Sequence, residues 1–354
     1  MSTNILVTGA GGYIGGSIVA DFLTSTLPSL KNIQITAAVR SDEQVAALQT
    51  LKNVKVIQLK LDDEEAVANA ILEHEIDIVI QTVSSVNATL SLPLVSALGK
   101  RKAQTGKPTY YVHTSGLSAF YIATGWPEGN TSDRDPLFET AKELRDSFPI
   151  RNTDVSITEK AKEVGVTSFI VVPSQVVGRG TGPYNQLSVL TPRYVLGAIQ
   201  QKKMHRFPND TVIPTIHVKD LTSLYAILVD KILTNQSIDA NERGFYFGIS
   251  FNLSTATFHA HLAPALKARD LIQDTNIDIW SLKEASKILD VPEGAVGFMF
   301  NSSGIINHHT QERLPGWQPA VTEDVYLKNV DDEITDVVEL GEAKSSLLAS
   351  LKTM

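Results

Sequence analysis

Three glycines, Gly9, Gly12 and Gly15, follow Thr8 at the end of an apolar triplet, Ile5, Leu6 and Val7. Ile14, Ile18, Val19, Phe22 and Leu23 then recur at helical spacing. Strand, glycine turn and helix in that order suit an anion. Glycines let backbone turn tightly and approach closely, and the free N–H groups of a helix start face the negative charge. In this context the turn reads as a cradle for a dinucleotide pyrophosphate, along Gly9, Gly12, Tyr13, Ile14 and Gly15. The blander reading is a structural turn.

Arg40 closes a second apolar run, residues 32–40, where such a fold meets the adenosine ribose. An acidic residue there bonds the 2′-hydroxyl, whereas an arginine accommodates a 2′-phosphate. Arg40 therefore favours NADP(H) over NAD. Candidates for the chemistry itself are scattered. Ser115 could polarise a carbonyl or simply cap a strand end. Lys142, in PLFETAKELR, could donate a proton or be a solvated helix lysine. Tyr184 and Tyr121 could donate, or pack as site walls. Asn185, Gln186 and Ser188 could bond a substrate or brace their own loop. His113 sits inside an apolar run and reads as a core histidine. His259 with His261, and His308 with His309, lack an acidic companion pattern, so no metal site is expected.

The elements that must position these residues alternate regularly. Strands are expected at 5–8, 32–40, 53–61, 77–83, 109–114 and 168–172, with helices between the first five, including 42–51 and one around 94–102. Asp62 to Glu65 suit the first turn of a helix, where the dipole favours carboxylates. The repeat predicts an α/β fold: a Rossmann-like, doubly wound, mainly parallel sheet with a smaller C-terminal lobe. Its strand ends would place Gly9, Arg40, Leu61, Thr82, Val83, Thr114 and Ser115 on one rim. Residues 116–149 look irregular, a lid or wall of the site. Helices are expected at 154–164 and 194–203, and at 221–233 with Asp220 as N-cap. Residues 255–292 read as largely helical, with an irregular tail beyond 295. The expected division is a dinucleotide-binding domain over 1–178, to which parts of 211–250 return, and a mostly substrate-binding lobe over 179–354.

The 354 residues are 43% hydrophobic and 20% charged, with a net charge of −8. That balance disfavours a nucleic-acid surface, which needs a basic face. The absence of cysteine excludes disulfides, thiolate nucleophiles and cysteine-ligated zinc. No apolar run approaches the roughly 20 residues of a membrane span, and the first strand begins too early for a signal peptide. A cytoplasmic protein is expected, and Asn-x-Ser/Thr triplets at Asn87 and Asn130 then read as coincidence.

Several motifs together resemble the extended short-chain dehydrogenase/reductase superfamily, in its atypical NmrA-like or epimerase-like branch. Thr8–Gly15 matches TGxxGxxG, Val39–Ser41 resembles an NADP-type strand end, and Leu59–Val67 is similar to GDLxDxEAV. Pro173–Gly178 resembles PxxVYG, which implies nicotinamide contacts from Pro173 and Val176. His217–Tyr225 is similar to HVDDLAxLY, and Gly316–Pro319 to GWxP. Two departures stand out. Lys60 falls where the family has an acidic residue beside the adenine, although Leu61 can still pack there. The catalytic Tyr-x-x-x-Lys is missing, and residues 142–154 read KELRDSFPIRNTD where it should lie. The resemblance implies an NADP(H)-dependent oxidoreductase on a small carbonyl-type substrate and a homodimer. It also allows two alternatives, a dinucleotide-sensing regulator without turnover and a sugar epimerase or dehydratase.

Overall fold

The computed structural model describes residues 3–129, 131–300 and 306–343, so Asn130 lies outside the described residues. The chain opens with β1 (Thr3–Thr8), α1 (Tyr13–Leu23), β2 (Ile33–Val39), α2 (Asp42–Leu48) and β3 (Val54–Gln58). It continues through α3 (Glu64–Glu73), β4 (Ile78–Gln81), α4 (Leu92–Thr105) and β5 (Tyr110–Thr114). Residues 116–149 hold a short β6 (Thr131–Ser132), α5 (Leu137–Glu143) and several 3-10 turns, so this stretch is more ordered than its composition suggests. Then come α6 (Pro149–Val164), β7 (Thr167–Pro173), β8 (Gln175–Val177), α7 (Leu190–Gln201), β9 (Met204–Arg206), β10 (Val212–His217), α8 (Val218–Leu233) and β11 (Phe245–Gly248). The remainder is β12 (Phe251–Ser254), α9 (Thr255–Ala268), β13 (Ile277–Ile279), α10 (Leu282–Leu289), α11 (Glu293–Phe300), β14 (Ile306–Asn307), α12 (Thr310–Arg313), α13 (Glu323–Lys328) and α14 (Val330–Leu340).

Seven strands form one parallel sheet in the order β11-β7-β5-β4-β1-β2-β3. The winding reverses between β1 and β4. A crevice outside the strand ends at such a reversal is where this architecture binds ligands. The sheet is buried on both faces. Ile5, Leu6 and Val7 are all fully buried, and each contributes roughly 1.5–3 kcal/mol by leaving water. One face packs under α1, α2 and α8 through Ile18, Phe22, Leu48, Leu224 and Leu228. The other packs under α3, α4 and α6 through Val67, Ile71, Leu94, Leu98, Val155 and Ala161. A separate core, with Tyr194, Phe258, Leu262, Trp280, Leu289 and Ile334, fills the C-terminal part.

Several element boundaries differ from the sequence reading. Helix α6 starts at Pro149 rather than 154, because proline suits the first helical position, and it stops at Gly165 in the left-handed region. Asp154 thereby moves from a helix start to a buried interior position. Helix α8 starts at Val218, and its cap is His217, whose Nδ1 accepts from the Lys219 N–H at 3.1 Å. Asp220 instead accepts from the N–H groups of Ala320 (2.8 Å) and Val321 (3.0 Å), while its carbonyl accepts from Trp317 Nε1 at 2.9 Å. The HVKDL and GWQP stretches, far apart in sequence, are thus one structural unit. The tail beyond 295 also holds helices, and α14 keeps Ile334 and Val337 on its buried side.

Candidate dinucleotide and proton-transfer site

The glycine turn fits the group that the sequence suggests. Gly9 has φ +73°, and a Cβ there would lie 2.6 Å from Thr82 Oγ1. A Cβ on Gly15 would lie 2.3 Å from the Gly9 carbonyl oxygen, and one on Gly12 would lie 3.0 Å from it. The Gly12 N–H closes the turn onto Gly9 O at 2.8 Å. Thr82 Oγ1 donates to Thr8 O at 2.8 Å and so fixes β4 against the turn. No side chain caps α1 and no carboxylate stands in its first turn. Its leading N–H groups, at Tyr13, Ile14 and Gly15, therefore present partial positive charge suited to a pyrophosphate.

At the end of β2 the Arg40 side chain is exposed and makes no ion pair among the described residues. Its N–H donates to Gln44 Oε1 at 3.0 Å, and Ser41 caps α2 immediately beyond. Gln44 packs over Gly11, where a Cβ would come within 2.8 Å of its amide. Arg40 and a capped helix start thus stand together at the C-terminal end of β2. Leu61 is buried after β3, while Val83 after β4 is half-buried. Pro173 ends β7, and Val176 is half-buried in β8, paired with Ile216.

The loop after β8 is held down on α1. Tyr13 Oη donates to Gly178 O at 2.6 Å, and Thr181 N donates to Ser17 Oγ at 3.1 Å. Gly182 lies so close to Gly16 that a Cβ would meet backbone at 2.7 Å. Glu333 on α14 accepts from the Gly178 N–H at 2.8 Å. Burial pushes its carboxyl up to about 7. Arg179 pairs with Asp336 and Glu339 instead. Gln186 braces this loop, accepting from Arg179 and donating to Gly182 O.

The three candidates for chemistry do not come together. Tyr184 Oη donates to Glu43 Oε2 at 3.0 Å, which sets it beside α2 and the end of β2. Three strand spacings, roughly 14 Å, separate that end of the sheet from β5. Lys142 is half-exposed and pairs with Glu159 at 3.0 Å. Glu159 lies five residues past Asp154 on α6, about 140° around the helix, so Lys142 sits on the outer side. Tyr121 is buried in the core.

Ser115 alone is on the central rim, its N–H donating to Val171 O at 2.8 Å. Its company was not legible as a site. Ser115 Oγ is 2.6 Å from Asp154 Oδ2, and His113 Nε2 is 3.4 Å from Asp154 Oδ1, an ion-pair distance without hydrogen-bond alignment. Burial pushes the Asp154 carboxyl up to about 8, against the Ser115 hydrogen bond, and pushes His113 down to about 3. Burial thus disfavours the charged form of each. Ile150 stands four residues before Asp154, and a Cβ on Gly116 would lie 3.3 Å from its Cδ1. An apolar group and an acid therefore occupy that helix face. The signal that could have found them is Ile150 and Asp154 at i, i+4 in PIRNTD.

Comparison with known proteins agrees with this geometry. Residues 9–206 match the family model described as NAD(P)H-binding. A search of curated proteins finds no match. Among solved structures the chain is similar to dTDP-glucose 4,6-dehydratase from Bacillus anthracis in complex with NAD (14% identity, 96% of this chain and 98% of that one, TM-score 0.64). It is also similar to UDP-glucose 4-epimerase from Bifidobacterium longum in complex with NAD+ and UDP (17% identity, 96% and 99%, TM-score 0.61). A third is the terminal R domain of the myxalamid PKS-NRPS biosynthetic pathway (14% identity, 97% and 92%, TM-score 0.65). With the glycine cradle, the parallel sheet and the family match in agreement, the chain belongs to the NAD(P)H-binding family.

Proposed function

We propose that this protein is an NADP(H)-dependent oxidoreductase acting on a small carbonyl-type substrate. The observation that carries the reading is the cradle: Gly9 and Gly15, where a Cβ would clash, and Gly12 with little room, under a helix start that no side chain caps. Gly9, Gly12, Tyr13, Ile14 and Gly15 would hold the pyrophosphate, with Arg40 on the 2′-phosphate and Leu61 against the adenine. Thr82, Val83, Pro173 and Val176 would line the path toward the nicotinamide. Bound there, the reduced cofactor serves as a hydride donor. The chain's own task is then to orient the substrate carbonyl and bring one proton to its oxygen. Ser115, on the central rim and fixed by two hydrogen bonds, is the hydroxyl that would touch that oxygen.

A second reading, a dinucleotide-sensing regulator without turnover, is favoured by one observation: on the face of α6 beside Ser115 stand Ile150 and Asp154, with no tyrosine and lysine pair at that spacing. Titration of the purified protein with NADPH and NADH, followed by a panel of aldehydes and ketones with NADPH oxidation as readout, separates the two. Preferential NADPH binding with turnover supports the oxidoreductase. Binding without turnover across the panel favours the regulator. Arg40→Ala should weaken NADPH by on the order of 1–3 kcal/mol and leave NADH nearly unchanged. Equal losses for both would remove Arg40 from the 2′-phosphate.

A further inference from the structure

We propose that Asp154 is a proton store behind Ser115, protonated while the bound dinucleotide is reduced and ionised while it is oxidised. This rests on the dinucleotide reading above and adds the residue that replaces the missing acid. The geometry carries it. Asp154 is fully inside α6, and Ser115 Oγ is 2.6 Å from its Oδ2. Burial without a compensating cation disfavours the carboxylate and raises its pKa. The groups around it do not change this. His113 on β5 is its one ionisable partner among the described residues, and it is held neutral by burial. Tyr111 stacks on His113 with ring centroids 6.5 Å apart, and burial pushes its hydroxyl up as well. Arg151, on the same helix, turns its guanidinium away to the carbonyls of Ala119 and Thr124.

A protonated Asp154 donates to Ser115 Oγ, which leaves the serine proton free to point at the rim. A reduced dinucleotide held at this rim would supply the hydride to a carbonyl carbon and be oxidised in doing so. The carbonyl oxygen takes the Ser115 proton. The Asp154 O–H bond breaks and that proton passes to Ser115 Oγ. Carbonyl plus hydride plus proton gives the alcohol, and the carboxylate left behind Ser115 would favour an oxidised, cationic dinucleotide bound at this rim. Ser115 is the catalytic residue here and Asp154 a positioning one.

The consequence is read by binding, without any substrate. In the wild-type protein the Kd for NADP+ should fall roughly fivefold or more between pH 7 and pH 9, as a coupling between two sites requires. The Kd for NADPH should stay flat. The 2′-phosphate is common to both ligands and titrates near pH 6, so the contrast removes its effect. Asp154→Asn should make NADP+ binding independent of pH at the weaker value, while Ser115→Ala should retain the dependence. Infrared difference spectra of the wild type give the second readout: a protonated-carboxyl band should disappear when NADP+ is added and persist with NADPH. Parallel pH profiles for the two ligands, a profile unchanged in Asp154→Asn, or a carboxyl band unmoved by NADP+ would each overturn the proposal. Failure of both dinucleotides to bind at any pH would overturn the dinucleotide reading itself.

Discussion

Replacing Glu333 by glutamine should stabilise the protein in mild alkali and do little in mild acid. Glu333 is buried on α14 with its Oε1 on the Gly178 N–H, and its carboxyl is raised from 4.5 to about 7. The first cause is loss of water, and the neighbouring Asp336 and Asp332 add to it. A folded-state value above the unfolded one means that the folded chain holds the proton more tightly. That contribution is complete below about pH 4.5 and is lost as pH rises through 7. A difference from 4.5 to about 7 corresponds to about 3 kcal/mol. Glutamine keeps a carbonyl oxygen for Gly178 and carries no charge to desolvate. Urea unfolding of both proteins should therefore diverge by about 2–3 kcal/mol in favour of Glu333→Gln between pH 5 and pH 8.5. An equal loss of stability at both pH values would refute the reasoning, because it would mean that the carboxylate is a favourable ion in the folded chain.

Gly15→Ala should weaken NADPH and NADH alike, in contrast to Arg40→Ala, since its Cβ would lie 2.3 Å from Gly9 O and the turn backbone must move. Overpacking of this kind also costs about 1–3 kcal/mol of stability, readable by denaturation. Arg101 donates twice to Asp77 Oδ1, at 2.9 and 2.7 Å, with its own side chain buried. Arg101→Met should cost about 3 kcal/mol by stranding the Asp77 carboxylate. The double variant with Asp77→Asn should recover part of it in the same unfolding assay.

The sequence by itself determined the sheet and the cradle. Both rest on local rules: apolar runs of strand length, helical spacing between them, and glycines where a Cβ has no room. Gly9, Gly12 and Gly15 are constrained by neighbours a few residues away and by one strand, so their types are readable in order. The place of Arg40 at the end of β2 is readable for the same reason, since a strand end follows from its own run. Only the tertiary structure decided what surrounds Ser115. Its partner Asp154 is 39 residues away along the chain, and a buried acid looks like a surface acid until packing removes its water. The start of α6 was misplaced because proline reads as a breaker, and that shift concealed the inward face carrying Ile150 and Asp154. Tyr184 and Lys142 had the right chemistry and the wrong addresses. Where a loop or a short helix comes to rest is set by contacts such as Tyr184 with Glu43 and Lys142 with Glu159, and no periodicity in the sequence encodes those.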